Sequence, residues 1–368
     1  MNNWTVFSVL ASTVILGSHA QAAYPSLPEP VSNNAVAKVS TAQGSYLLSF
    51  MGLNNAKDYT GVHNKVWSLK LNDEQATWQS AKSVPYVAPL AGRLAAVAVG
   101  VADMAYVFGG FTVAKNHQEI STVDNYRFDV LSNTYQRIAD MPVAVDDTAI
   151  SVYQNRYLYL FGGWHNDGNV NLVQVYDTQT NTWQQASPMP APAVFGQAVA
   201  MVDNQLVFCD GVKVKANLHK RRSYQASPVC LYGKINPNNH LRISWQAIEH
   251  FSETNQKSVT ALYRMAATGV ANTKQGQATF VGGSDNPYNY EGIGYNGQPS
   301  EPSQWQYSFD FASQSWLPAV KLETPSMDHR GLICHDNTLL RVGGMLASQQ
   351  VSDAVLSQSL AADEMCTP

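Results

Sequence analysis

The chain has 368 residues, of which 45% are apolar and only 14% charged, so it can bury a large core and does not have the composition of a disordered chain. Its formal charge of −4 gives no electrostatic reason to expect a nucleic-acid partner.

The first stretch, WTVFSVLASTVILGSHAQAA, is apolar over too short a run to span a bilayer comfortably. Small residues follow at Ala20 and Ala22, as a signal-peptidase site requires. No Lys or Arg precedes the run, so the amino terminus supplies the positive charge. Residues 1–22 are therefore expected to be a secretory signal and residues 23–368 a single periplasmic or secreted domain, with no later membrane-crossing segment.

After a proline-rich lead, YPSLPEPV from Tyr24 to Val31, a glycine-centred pattern begins. It reads SFMG (Met51, Gly52), YVFGG (Gly109, Gly110), YLFGG (Gly162, Gly163), FCDG (Asp210, Gly211), FVGG (Gly282, Gly283) and LRVGG (Gly343, Gly344), six copies in all. Downstream of most copies a bulky pair recurs seven residues apart: Leu71 to Trp78, Phe128 to Tyr135, Tyr176 to Trp183 and Phe309 to Trp316. The fourth copy stretches this step, from Tyr232 to Trp245. Within each unit short apolar–polar alternations are broken by Asn, Asp, Gly and Pro, which predicts four antiparallel strands, a to d, and no helix. Glycines ending strand b permit a neighbour's close approach, while the bulky residues of strands c and d fill the wedge between adjacent sheets. A sheet this small cannot bury both faces alone, so the copies must stack radially.

These units resemble the kelch-repeat family over nearly the whole mature chain. The resemblance implies an all-β fold, a six-bladed β-propeller. The last unit offers runs for strands a to c (Gly331–His335, Thr338–Gly344, Ala354–Leu360) and then ends, so Tyr24–Val31 is expected to supply the missing outer strand and close the ring.

In such a meander the b–c links and the d–a links emerge on one face, and the b–c links are the long ones. The d–a links carry Arg93, Asp146, Asp147, His329 and Arg330 toward the axis. The fourth b–c link is basic, with Lys213, Lys215, His219, Lys220, Arg221 and Arg222, of which Arg221 or Arg222 could grip an acidic group. The fifth, SDNPYNYEGIGYNG, offers Asp285, Tyr288, Tyr290, Glu291 and Tyr295 for stacking on a sugar ring and hydrogen-bonding its hydroxyls. His63, His117, His165, His219 and His329 come from different units without metal-ligand spacing, so no metal or cofactor is expected. In an oxidising compartment the four cysteines are expected to pair as Cys209–Cys230 and Cys334–Cys366.

Length and predicted closure are also similar to periplasmic kelch proteins of the N-acetylneuraminate epimerase type. That resemblance implies a Glu directly after the fourth glycine, but Val212 stands there, and valine cannot transfer a proton. Arg221 or Arg222 could match the family's Arg, with His165 or Glu291 as candidate replacement bases. The sequence thus points to a domain that binds a carbohydrate or other small polar ligand, acidic ones included, through Arg93, Asp147, His165, Arg221, Arg222, Asp285, Tyr288, Tyr290, Glu291, His329 and Arg330. A sugar epimerase or mutarotase with a relocated base, and a protein-interaction scaffold, are the alternative functions.

Overall fold

The computed structural model describes residues 24–73, 75–86, 91–116, 118–216, 223–251 and 260–367, so the expected signal segment 1–22 lies outside them. Six small antiparallel sheets surround one axis. Their inner strands are Ala35–Thr41, Val97–Val101, Ala149–Tyr153, Ala198–Val202, Ala266–Asn272 and Ile333–His335, each neighbouring the next and the last returning to the first. The first four blades have four strands in the order a-b-c-d from the axis outward, and blade six has three. Among the described residues no helix is long and apolar enough to cross a membrane.

The recurrent sequence features act at the joints between blades. Gly109 lies in the left-handed region at φ 59°, and its missing Cβ would sit 2.1 Å from the carbonyl oxygen of Val145 in the next blade. Gly343 repeats this at the ring closure, with Val31 O 2.4 Å from the position a Cβ would take. Met51 and Asp210 hold the same left-handed geometry without being glycine, at φ 55° and 67°. In three blades the seven-residue step is a cross-strand pair, Tyr176 facing Trp183, Phe309 facing Trp316 and Phe128 facing Tyr135, whereas Leu71 and Trp78 lie just outside the ladder of blade one. In blade four the longer hairpin alters the pairing, so that Tyr232 faces Gln246 and the Trp245 ring packs over Gly233. Each outer Trp also ties its blade to the one before. Trp183 Nε1 donates to Ala139 O at 2.9 Å and Trp316 Nε1 to Glu249 O at 2.7 Å.

Closure uses both ends of the described chain. Trp78 of blade one donates to Pro25 O at 2.8 Å, so the amino-terminal segment takes the role that the preceding blade's exit plays elsewhere. It is held by Leu27 N–Asp353 O, Val31 N–Ser352 O and Gly344 N–Val31 O at 2.7, 3.0 and 2.8 Å. The segment Tyr24–Val31 does not, however, form the strand ladder expected of it, and blade six keeps three strands. Pro25, Pro28 and Pro30 remove the donors that a ladder needs. At the other end Glu364–Cys366 turns back to pair with the inner strand of blade five, Cys366 opposite Val270. Both disulfides are present: Cys209–Cys230 links neighbouring strands at a Cα separation of 4.2 Å, and Cys334–Cys366 clips the returning tail to blade six at 5.3 Å.

Two residues ahead of strand a in blades one to five, and five residues ahead of it in blade six, stands a residue with positive φ: Asn33, Ala95, Asp147, Gly196, Arg264 and Asp328. Backbone bonds run between them, Asp147 N to Ala95 O, Gly196 N to Asp147 O and Arg264 N to Gly196 O, at 2.8–3.0 Å. Their side chains meet on the axis. Arg264 Nε and Nη2 donate to the two oxygens of Asp147 at 3.0 and 2.6 Å, while Nη1 donates to Asp328 Oδ1 at 3.0 Å. Arg330 Nη2 reaches Asn33 Oδ1 at 2.6 Å and Asp147 Oδ1 at 3.0 Å. Burial alone would raise the Asp147 carboxyl, but Arg264 and then Arg330 hold it below its ordinary range. This ionic cross-brace spans blades one, three, five and six and closes the axis beneath the long-loop face.

Removing one member of so buried a network leaves charges without partners. Arg264→Ala is expected to lower unfolding free energy by about 3–5 kcal/mol in urea titrations. A loss below ~1 kcal/mol would mean that the brace does not hold the blades. A pH dependence follows from His329, which lies buried next to Arg330 with Nε2 2.8 Å from Ser326 Oγ. Burial, then Arg341 and Arg330, push its imidazole down to about 3. The unfolded chain therefore takes up a proton near pH ~6.5 that the folded chain refuses, so this contribution is complete above that pH and is lost as pH falls toward 3. Denaturant titrations at pH 7.5 and 5 should show lower stability at pH 5, and His329→Gln should reduce the difference.

Candidate functional site

On the long-loop face three b–c links fold as two-stranded ribbons: Phe111–Val113 with Glu119–Ser121, Trp164–His165 with Gly168–Asn169, and Val212–Lys215 with Ser223–Ala226. Together with the blade-five link they enclose a small pocket of about 40 Å³ directly above the cross-brace. Its walls are Phe111, Trp164, Phe195, Tyr224, Tyr290 and Tyr295, and its polar groups are Glu119, Asp146, Asp147, Arg264 and Asn289.

The aromatic side is preorganised by ring-to-ring packing. Trp164 meets Phe195 edge-on at 5.5 Å, Phe195 meets Tyr224 at 5.8 Å, and Tyr224 stacks on Tyr295 at 4.1 Å and 28°. Tyr295 keeps 38% of its surface exposed, so it offers area to a ligand.

The acidic side holds two adjacent carboxyls with opposite electrostatics. Asp146 is buried; its backbone is fixed by reciprocal bonds with Trp164 at 2.8 and 2.9 Å, and Ser121 Oγ donates to its Oδ2 at 2.6 Å. Burial, reinforced by the neighbouring Asp147 charge, pushes Asp146 well above the usual carboxylate range, against the opposing Ser121 bond. Asp147, in the cross-brace, stays ionised. A carboxyl whose neutral form burial favours, beside one held ionised by arginines, is an arrangement that acid–base chemistry uses.

The structure sorts the residues singled out from sequence. Asp147 and Tyr290 line the pocket. Tyr288 is fully buried below it, 5.1 Å from Tyr263 and beneath the Arg264 guanidinium at 5.1 Å, so its ring cannot cover a ligand. Arg93 does not line the floor: it is buried against Asp124 and donates to Gly109 O at 3.2 Å, bracing the blade-two glycine corner. Arg330 belongs to the cross-brace and faces the channel below, as does His329. His165 Nδ1 lies 2.7 Å from Ala144 O, Glu291 Oε1 accepts from Asn289 Nδ2 at 3.2 Å, and neither is among the pocket's lining residues. Asp285 is exposed outside the pocket. His117, His219, Lys220, Arg221 and Arg222 lie outside the described residues. Among the described residues one cluster has metal-ligand chemistry, Asp210, Cys230 and His250, but its sulfur is engaged in the disulfide with Cys209. His250 Nε2 instead pairs with Asp210 Oδ1 at 2.5 Å.

Arg264, Phe195 and Trp164 carry no signal within a single loop, because they meet only across blades. Alignment of the six units on the positive-φ corner that precedes strand a sets Arg264 level with Asp147 and Asp328.

Comparison with known proteins bears on the architecture first. Residues 37–227 match the KLHDC2/KLHL20/DRC7 Kelch-repeats domain, just over half of the chain. The N-acetylneuraminate epimerase of Yersinia pestis (strain Pestoides F) is 24% identical over 259 residues, covering 60% of this chain and 62% of that protein. Kelch-like protein 38 of Rattus norvegicus is 26% identical over 163 residues, covering 44% of this chain and 26% of that protein. The chain therefore spans less than two thirds of the length of either relative. The solved structure of YjhT superposes with a TM-score of 0.67 at 14% identity, over 91% of this chain and 99% of that one, and so shares the fold. With its six glycine-cornered blades and this match, the chain belongs to the kelch-repeat family of β-propellers.

Proposed function

We propose that the long-loop face binds a carbohydrate or a similar small polar ligand, in a protein that works in the periplasm or outside the cell. The observation that carries this reading is the convergence of the stacked Tyr224–Tyr295 pair with Asp146 and Asn289 on one pocket. Aromatic faces take the C–H side of a sugar ring, and amides and carboxyls take its hydroxyls. The location is supported by the pairing of all four cysteines into disulfides and by the leader-like composition of residues 1–22.

A second reading, sugar epimerisation or mutarotation, is favoured by Asp146. The epimerase relatives make a sugar substrate plausible chemistry for this face. With Val212 unable to act, Asp146 is the pocket group placed to give a proton to a ring or anomeric oxygen, and the ionised Asp147 beside it keeps the pair asymmetric.

A thermal-shift screen of neutral and acidic sugars is expected to give saturable stabilisation, and Tyr295→Ala should weaken the best ligand about tenfold, ~1.4 kcal/mol. No shift with any sugar would remove the binding reading. If turnover is present, Asp146→Asn should abolish anomer exchange measured by NMR while leaving affinity within about threefold, ~0.7 kcal/mol. Unchanged exchange would exclude Asp146 as the acid.

A further inference from the structure

The two disulfides differ in what they join and in how deeply they lie. Cys209–Cys230 links facing residues on neighbouring strands of blade four, and its cysteines are 0% and 2% exposed. Cys334–Cys366 links parts of two blades. Cys334 is on the inner strand of blade six, whereas Cys366 is on the short strand Glu364–Cys366, which pairs with the inner strand of blade five. Cys366 is half-buried and the neighbouring Met365 is 49% exposed.

Apart from its disulfide, the returning strand is held lightly. It pairs over three residues, Glu364 opposite Asn272, Met365 opposite Ala271 and Cys366 opposite Val270. Gln277 Nε2 donates to Glu364 Oε1 at 2.5 Å, and Thr367 Oγ1 donates to Gly269 O at a long 3.4 Å. The remaining bonds of Glu364 stay within the tail, to Ala361. A ladder this short is marginal by itself. The disulfide spans 32 positions of sequence, and without it the docked strand must be kept in place against the conformational freedom of a chain end. Cys334 and Thr367 also line the axial channel of about 560 Å³ that opens below the Asp147–Arg264–Asp328 bridge, so the strand lies at the wall of that channel on the turn face.

We infer that Glu364–Cys366 is a redox-released strap: reduction of Cys334–Cys366 by a dithiol frees this strand, uncovers the edge of the blade-five inner strand at residues 270–272 and widens the channel mouth, while Cys209–Cys230 stays closed. In the exchange a thiolate of the dithiol attacks Cys366 Sγ, on the more exposed of the two residues, and the S–S bond breaks as Cys334 leaves as a thiolate and takes a proton. The second thiol then attacks the mixed disulfide and releases Cys366 as a thiol. The dithiol ends as a disulfide, and the protein has gained two electrons and two protons. Lys38 Nζ donates to Cys334 O at 2.7 Å, which sets a positive charge beside the residue whose sulfur leaves and favours its departure as a thiolate.

The test takes the full mature chain, folded and oxidised, through brief reduction with dithiothreitol without denaturant, followed by alkylation and peptide mass mapping. Cys334 and Cys366 should be alkylated about tenfold faster than Cys209 and Cys230. In hydrogen-exchange mass spectrometry of the reduced protein, residues 270–272 and 364–366 should exchange about tenfold faster, with the inner strands of blades one to four unchanged. The double variant Cys334→Ser with Cys366→Ser should show the same exchange pattern in the absence of reductant. Reduction of Cys209–Cys230 first or at an equal rate would overturn the strap. So would a reduced protein in which residues 270–272 and 364–366 keep their protection, or one in which every blade loses it, since the disulfide would then serve the fold as a whole.

Discussion

Arg264 is shared between carboxylates of two different blades, and the propeller's axis depends on that sharing. Its guanidinium takes both oxygens of Asp147 from blade three and one of Asp328 from blade six. Two aromatic rings, Tyr263 and Tyr288, lie 4.6 and 5.1 Å from the cation and shield it from water. A single apolar side chain could fill the same space, but it could not join three blades through directed bonds. The brace therefore fixes how the blades sit around the axis, and it also separates a small polar, aromatic pocket on one face from a wider channel of mixed character on the other.

That separation gives the two carboxyls of one dipeptide different tasks. Asp147 turns inward, in the left-handed region at φ 47°, and is neutralised by arginines. Asp146 turns toward the loops, where it accepts from a serine hydroxyl and the negative charges of Asp147 and Glu119 outweigh the more distant Arg264 cation. The backbone at this corner is strained, as it is at Asn33, Ala95, Arg264 and Asp328, while blade four uses Gly196, which takes the same conformation freely. Blades three, five and six place ionisable groups there, and these are the members of the cross-brace.

Much of the architecture was legible because it repeats. The glycine corners and the seven-residue aromatic step report contacts made within a blade or with the next one, and such contacts leave a period in the sequence. The disulfides were legible for a similar reason, Cys209 and Cys230 being on adjacent strands of one sheet. The site was less legible. Phe111, Trp164, Phe195, Tyr224 and Tyr295 come from four blades and meet only after the ring forms. Arg93 misled for a local reason: its partner Asp124 sits on the same blade, so a basic residue at the axis end of a link became a brace. The proline-rich lead has the position of a strand, but its missing N–H groups allow only the isolated bonds that are found.

The ring is joined where Asn33 meets Asp328, a hydrogen bond between residues 295 positions apart. Nothing local can hold that seam before the intervening blades exist, and the conformational entropy of bringing such distant segments together must be overcome before the seam's bonds form. The same geometry works in reverse. Opening the seam breaks the Asn33–Asp328 and Arg330–Asn33 contacts and the Gly344–Val31 bond together, and it exposes the flanks of blades one and six at once. Closure of this kind makes the folded ring slow to assemble and slow to come apart, so its persistence rests on a kinetic barrier as well as on equilibrium stability.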